Sequence, residues 1–206
     1  MKTVYKTLIV LAAICSFAFA ADESRAAFDR GVNVGEQGNH KEAIKQFTQA
    51  IKIDPKLALA YYNRGVSYAE LGDYQKAVAD YTHAIKIDPN FVWAYNNRGI
   101  LYYNLGEYSK AIADYAQVIR LDPNDAGAYV GRGILYQNLG DHSKAIADFT
   151  QGIKIDPNDA AAYYFRGNSY AMLGESKKAK QDAKKACDLG NCDLLQFLDE
   201  NNQIHN

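Results

Sequence analysis

Residues 58–91 read ALAYYNRGVSYAELGDYQKAVADYTHAIKIDPNF, and the same spacing of residue types returns on both sides of them. Between Leu57 and Leu71, Tyr61, Arg64, Gly65 and Tyr68 follow one another at intervals that share one helix face; Ala77, Tyr81 and Ala84 do the same between Tyr74 and Ile87. Such intervals predict two amphipathic helices. Gly72-Asp73 separates them: glycine suits a left-handed helix end, and Asp73 is expected to cap the next helix. Asp88-Pro89 ends the second helix, because proline disfavours helical geometry in the residue before it.

The chain has four prolines, Pro55, Pro89, Pro123 and Pro157; they stand 34 residues apart and each follows an aspartate. A fixed period of this length means a stack of like units rather than one globular core. The units run over 24–57, 58–91, 92–125, 126–159 and 160–193. Gly31, Gly65, Gly99, Gly133 and Gly167 keep the period, as do Ala43, Ala77, Ala111, Ala145 and Ala179. A glycine inside a helix costs about 1 kcal/mol relative to alanine. Its return in every unit predicts close approach of the two helices, with the periodic alanine facing the glycine.

The pattern resembles the tetratricopeptide repeat (TPR) family, whose signature is an aromatic or bulky residue, Gly, Tyr, Ala, an aromatic, Ala and Pro. Here it reads Tyr61, Gly65, Tyr68, Ala77, Tyr81, Ala84, Pro89, then Tyr95, Gly99, Tyr102, Ala111, Tyr115, Val118, Pro123. The fourth unit gives Tyr129, Gly133, Tyr136, Ala145, Phe149, Gly152, Pro157. The resemblance implies an all-α, right-handed superhelical solenoid of helix-turn-helix repeats. Departures fall at the ends: Ala27 and Val34 in the first unit, Asn191 in place of proline and a polar stretch from Lys177 to Lys185 in the fifth. Terminal units need a polar outer face. Residues 193–201, with Leu194, Leu195, Phe197 and Leu198, read as a capping helix, with a dimerisation surface as the alternative, and 202–206 as a polar tail.

Residues 1–20 are set apart. Lys2 and Lys6 precede an apolar run from Leu8 to Phe17, and Ala18-Phe19-Ala20 supplies small residues at cleavage spacing. This is the pattern of a secretory signal peptide cut after Ala20, which predicts a periplasmic or secreted protein. Lipidation at Cys15 and retention as an anchor are the alternatives; Ile14 is bulky for the first, and the run is short for the second. Cleavage removes two of the 23 basic residues and none of the 24 acidic ones, leaving a net charge of -3. That disfavours nucleic acid and anionic membrane as partners. Cys187 and Cys192 remain, an even pair expected to form a disulfide in an oxidising compartment, with two free thiols as the alternative. Too few ligands stand near them for structural zinc.

No enzyme, cofactor or metal site is expected. The histidines His40, His83, His142 and His205 show no ligand spacing, and the glycines are spread one per period rather than clustered around a phosphate. Asp80, Asp114 and Asp148 recur with the repeat, whereas catalysis needs a unique constellation. Arg30, Arg64, Arg98, Arg132 and Arg166 precede the periodic glycines, and sixteen residues after four of them stands Asp80, Asp114, Asp148 or Asp182. Each arginine is expected to pair with the aspartate of its own unit or with an acid of an adjacent Asp-Pro; a stem lying on apolar surface is the bland alternative.

The first helix of each unit has a second face. At about 100° per residue, the side opposite Tyr95, Gly99 and Tyr102 holds Trp93, Asn96, Asn97, Ile100, Tyr103 and Asn104, with no charge. Leu59, Tyr62 and Asn63 occupy it in the second unit and Tyr164 in the fifth. In TPR proteins this side lines the concave groove, and asparagines two before the glycine, like Asn63 and Asn97, hold an extended peptide by its backbone. Tyr62, Asn96 and Val130 offer no lysine for the carboxylate clamp of TPR co-chaperones. The expectation is a non-catalytic scaffold binding a protein or peptide segment by aromatic contacts and amide hydrogen bonds. The alternatives are a self-associating structural oligomer or an accessory subunit of an envelope complex.

Overall fold

The computed structural model describes residues 21–204; the segment read as a signal peptide, with Cys15 and the site after Ala20, lies outside them. Every regular element among the described residues is an α-helix. They fall into two compact units, the first ending at Arg98 and the second starting at Gly99. The first holds α1 (21–36), α2 (His40–Ile53), α3 (Ala58–Glu70), α4 (Tyr74–Ile87) and the start of α5 (Val92–Asn104). The second holds the rest of α5 with α6 (Tyr108–Leu121), α7 (Ala126–Asn138), α8 (His142–Ile155), α9 (Ala160–Met172), α10 (Ser176–Asp188) and α11 (Asp193–Ile204). Thus the expected helix-turn-helix pairs form, followed by a final helix.

The punctuation behaves as read, with one correction. Gly72 takes φ 78°, where a side chain would be strained, and closes α3: its N–H donates to Ala69 O at 2.9 Å and the Asp73 N–H to Tyr68 O at 2.8 Å. Asp73 stands at the cap position of α4, but its carboxylate makes no capping bond and instead holds Lys76 Nζ at 2.7 Å. Asp141, in the matching place before α8, does accept from the Lys144 N–H. The aspartate before each proline has a job the sequence did not reveal. Asp88 is extended, and its Oδ1 accepts from the Asn90 N–H at 2.9 Å, folding the chain around Pro89. Asp54, Asp122 and Asp156 repeat the bond.

Ala43, Ala77, Ala111, Ala145 and Ala179 are fully buried. The glycines facing them are not equivalent. A Cβ built on Gly65 would stand 2.8 Å from the Tyr81 ring and 3.3 Å from Ala77 O, and one on Gly133 only 2.6 Å from the Phe149 ring. At Gly99 the nearest atoms, on Asp114 and Tyr115, are 3.5 Å away, an ordinary contact. The reason is the direction of Tyr115, whose ring lies over Gly131, 2.8 Å from where its Cβ would be. Gly99 is therefore a loose member of the packing series, contrary to expectation.

The fifth repeat solves its packing differently. Where other second helices carry Phe47, Tyr81, Tyr115 and Phe149, α10 carries Ala183. The space over Gly167 is filled by Leu194 of α11, whose Cδ2 lies 2.8 Å from the Cβ position and which is only 5% exposed. A disulfide between Cys187 and Cys192, whose Cα atoms are 4.0 Å apart, ties α11 to the end of α10 across Gly190. Lys180 Nζ adds an ion pair to Asp199 at 2.7 Å. Helix α11 continues to Ile204, into the stretch expected as a polar tail, because no glycine or proline follows Gly190 to stop it. Closing so short a loop restricts the unfolded chain by about 2 kcal/mol. Reduction is expected to raise amide hydrogen exchange across 193–200 while α7 and α8 keep their protection; exchange rising equally in α7 and α8 would contradict a local staple.

Candidate functional site

The periodic cations are absorbed by the scaffold. Arg132 Nε and Nη2 donate to the two carboxylate oxygens of Asp148, both at 2.8 Å, and Asp148 is buried. Arg64 holds Asp80, and Arg166 holds Asp182, in the same forked geometry. In the first repeat Gln46 stands in for the aspartate and accepts from Arg30 Nε. Arg64 and Arg166 also donate backwards to Thr48 and Thr150 of the preceding second helix, so one guanidinium clips three helices. The carboxylate bond holds the guanidinium groups of Arg64, Arg132 and Arg166 above their ordinary pKa. Signature tyrosines are covered in turn: the Arg64 guanidinium sits 5.6 Å from the Tyr61 ring and Lys76 Nζ 5.2 Å from the Tyr68 ring. Lys76 is itself oriented by Asp73.

What is left over is aromatic and neutral. In the first of the two compact units, α3 presents Leu59, Tyr62 and Asn63, and the start of α5 presents Trp93, Asn96 and Asn97. Asn97 Nδ2 donates to the Tyr62 hydroxyl at 3.1 Å. The Tyr62 ring lies 5.0 Å from Phe91 and 5.7 Å from Tyr81, and Phe91 lies 6.2 Å from Trp93. Burial raises the phenol pKa of Tyr62, opposed by the hydrogen bond from Asn97, and burial raises that of Tyr81 as well. Phe91 is buried, but Trp93 is 64% exposed and lies against it. The arrangement is a fixed aromatic platform with amides beside it. Asn63 turns its amide to Leu59 O, 3.0 Å away on its own helix. Leu59 is exposed and Asn96 half-buried.

Two expected site residues, Tyr103 and Tyr164, belong to the second compact unit, which starts at Gly99. Tyr103 is 5.9 Å from Tyr108. Tyr164 meets Phe165 edge-on at 5.2 Å and lines a cleft of about 420 Å³ with Asn168, Met172, Leu194 and Phe197. Thus Tyr62, Trp93 and Asn97 come together through Phe91, while Tyr103 and Tyr164 serve surfaces of their own. Phe91 was missed because it precedes its helix. The available signal was a break in the period: Leu57, Asp125 and Asp159 occupy its place elsewhere. Tyr115 follows the repeat signature, yet burial pushes its phenol pKa up to about 12 and its ring fills the space that Gly131 leaves. Among the described residues no cluster of three or more His, Cys, Asp or Glu is placed to hold a metal ion, and no helix is long and apolar enough to cross a membrane.

Family models described as "TPR repeat" match residues 36–72 and 67–106, and models described as "Tetratricopeptide repeat" match 92–125, 126–159 and 160–189. None of these is a catalytic family. No curated protein matches the chain. Among solved structures, a crystal structure of MamA superposes with a TM-score of 0.78 at 26% identity, covering 82% of this chain and 92% of that one. MamA (41-end) from Desulfovibrio magneticus RS-1 gives 0.76 at 23% identity, with 82% and 95% covered. YrrB, described as a TPR protein with an unusual peptide-binding site, gives 0.77 at 22% identity, with 90% and 97% covered. At the two lower identities the likeness is one of fold.

Proposed function

This chain belongs to the tetratricopeptide repeat family, a fold typical of protein-protein interaction scaffolds, and we propose that it binds an extended, neutral and partly apolar peptide segment on the face that α3 and the start of α5 present in the first compact unit. The observation that carries this reading is Trp93, 64% exposed, braced by Phe91 and flanked by the amides of Asn96 and Asn97. An exposed tryptophan on a rigid support offers large contact area at small entropic cost. Neighbouring amides can pair with a peptide backbone, and Leu59 extends the apolar surface. None of Leu59, Tyr62, Asn63, Trp93, Asn96 and Asn97 is charged, so the segment needs no charge of its own. The description of YrrB as a peptide binder is in keeping with this use of the fold. We place the protein in the periplasm or outside the cell, on the signal-like pattern of residues 1–20; the Cys187–Cys192 disulfide supports an oxidising compartment.

Trp93 is the chain's single tryptophan, so its emission reports on its own face. A bound segment is expected to shift that emission. Trp93→Ala is expected to weaken capture of envelope partners by roughly thirtyfold, the scale of an aromatic hot spot, with little change in melting temperature. Asn97→Ala additionally removes the Tyr62 bond and is expected to cost about 1 kcal/mol of stability. Undiminished capture by Trp93→Ala and Asn97→Ala together would sink the assignment. Self-association through the fifth repeat is the second reading, favoured by Met172, 66% exposed, and Phe197, 60% exposed, beside Leu194. Light scattering over a range of concentrations separates the two, since a strict monomer excludes it.

A further inference from the structure

Helix α10 differs from every other second helix in charge. Its sequence, SKKAKQDAKKACD, contains five lysines, all exposed. Its one central acid, Asp182, is turned inward to Arg166, so it does not balance them. Lys178 is held by Glu175 and Lys180 by Asp199, whereas Lys177 and Lys184 make no ion pair with any described residue. The period identifies Lys180 and Lys184 as departures: positions 177, 180 and 184 correspond to Ser143, Ile146 and Thr150 in α8, to Ser109, Ile112 and Ala116 in α6 and to Lys41, Ile44 and Thr48 in α2, so that α10 alone carries all three lysines. A terminal repeat does need a polar outer face, but mixed signs would serve that need. Lys177 also lies in the first turn of its helix, where the macrodipole disfavours a cation.

Lys177, Lys180 and Lys184 follow one another at i, i+3 and i+7, which aligns them along one face. That face forms a wall of a cleft of about 530 Å³ closed by Leu198 of α11, with Ser176 and Gln181 completing the lining. The chain supplies its own example of what fits there, since the Asp199 carboxylate already sits on Lys180 at 2.7 Å. We propose that this cleft is a second docking site, distinct from the aromatic face, for an acidic peptide segment that sets carboxylates against Lys177 and Lys184 and an apolar side chain against Leu198. A protein segment is favoured over a membrane because the lysines line a cleft with an apolar side, which a flat anionic surface cannot enter, and because the chain as a whole is negatively charged.

The test uses the oxidised chain and a fluorescein-labelled peptide of repeated Glu-Glu-Leu, followed by fluorescence anisotropy. Binding is expected, weakening as salt rises. Lys177→Ser with Lys184→Thr, which installs the residues α8 already carries, is expected to weaken it about tenfold. Lys52→Ser with Lys154→Thr removes the same charge from exposed sites elsewhere and is expected to leave binding unchanged. No binding by the parent, or equal binding by the two double variants, overturns the proposal. So does binding of phosphatidylserine vesicles through Lys177 and Lys184 when the peptide does not compete.

Discussion

Replacing Gly133 with leucine is expected to lower the melting temperature by roughly 6–12 °C, the equivalent of about 3 kcal/mol in a chain of this size. The first side-chain atom alone decides the direction. A Cβ on Gly133 would lie 2.6 Å from Cε1 and 2.9 Å from Cδ1 of Phe149, whose ring is fully buried and closed in by Val130, Ala145, Ile153 and Ala162. The ring cannot move aside, so α7 and α8 must separate, and the added methylenes enlarge the separation. Gly99→Ala is the control. Its Cβ would make only ordinary contacts, 3.5 Å from Asp114 and Tyr115, while the helix gains up to about 1 kcal/mol of propensity. Thermal unfolding should therefore show Gly133→Leu strongly destabilised and Gly99→Ala unchanged or slightly stabilised. Equal losses at the two sites would contradict the packing account.

The contrast between those glycines shows how far the sequence could be read. Repeat length, the helix pairs and the Asp-Pro stops were legible because each is a local signal multiplied by the period. Gly99 and Gly133 look identical in that register. What separates them is the lean of Tyr115 towards Gly131, a choice made in three dimensions and permitted by an aperiodic glycine. The cap illustrates the same point. A short apolar stretch after Gly190 could be read as a lid, but not that Leu194 replaces the aromatic ring that Ala183 omits. In the candidate site, Trp93 stood out as an uncharged break in the pattern, whereas Phe91, which braces it, precedes the helix and escaped a face-by-face reading. Periodicity reveals the scaffold; the residues that depart from it need the structure to show what they touch.

Arg132→Ala is expected to cost about 3–5 kcal/mol, because it strands Asp148 in the interior without its cation. Asp148 is 6% exposed, and both of its oxygens are engaged by Arg132 at 2.8 Å. Asp148→Ala should cost less, since the arginine side chain is 20% exposed and its guanidinium can turn to water. The double variant removes the stranded charge along with its partner, so its loss should fall short of the sum by about 2 kcal/mol. Arg132→Lys separates charge from shape: lysine restores the cation but not the planar fork, and should recover only part of the stability. Arg132 is the cleanest member of its series, because Ala116 stands where Arg64 and Arg166 meet Thr48 and Thr150, leaving no hydroxyl bond to confuse the cycle. Chemical denaturation of the four proteins measures the coupling. Additive losses, within about 0.5 kcal/mol, would show that the arginine acts through its stem on apolar surface rather than through the pair.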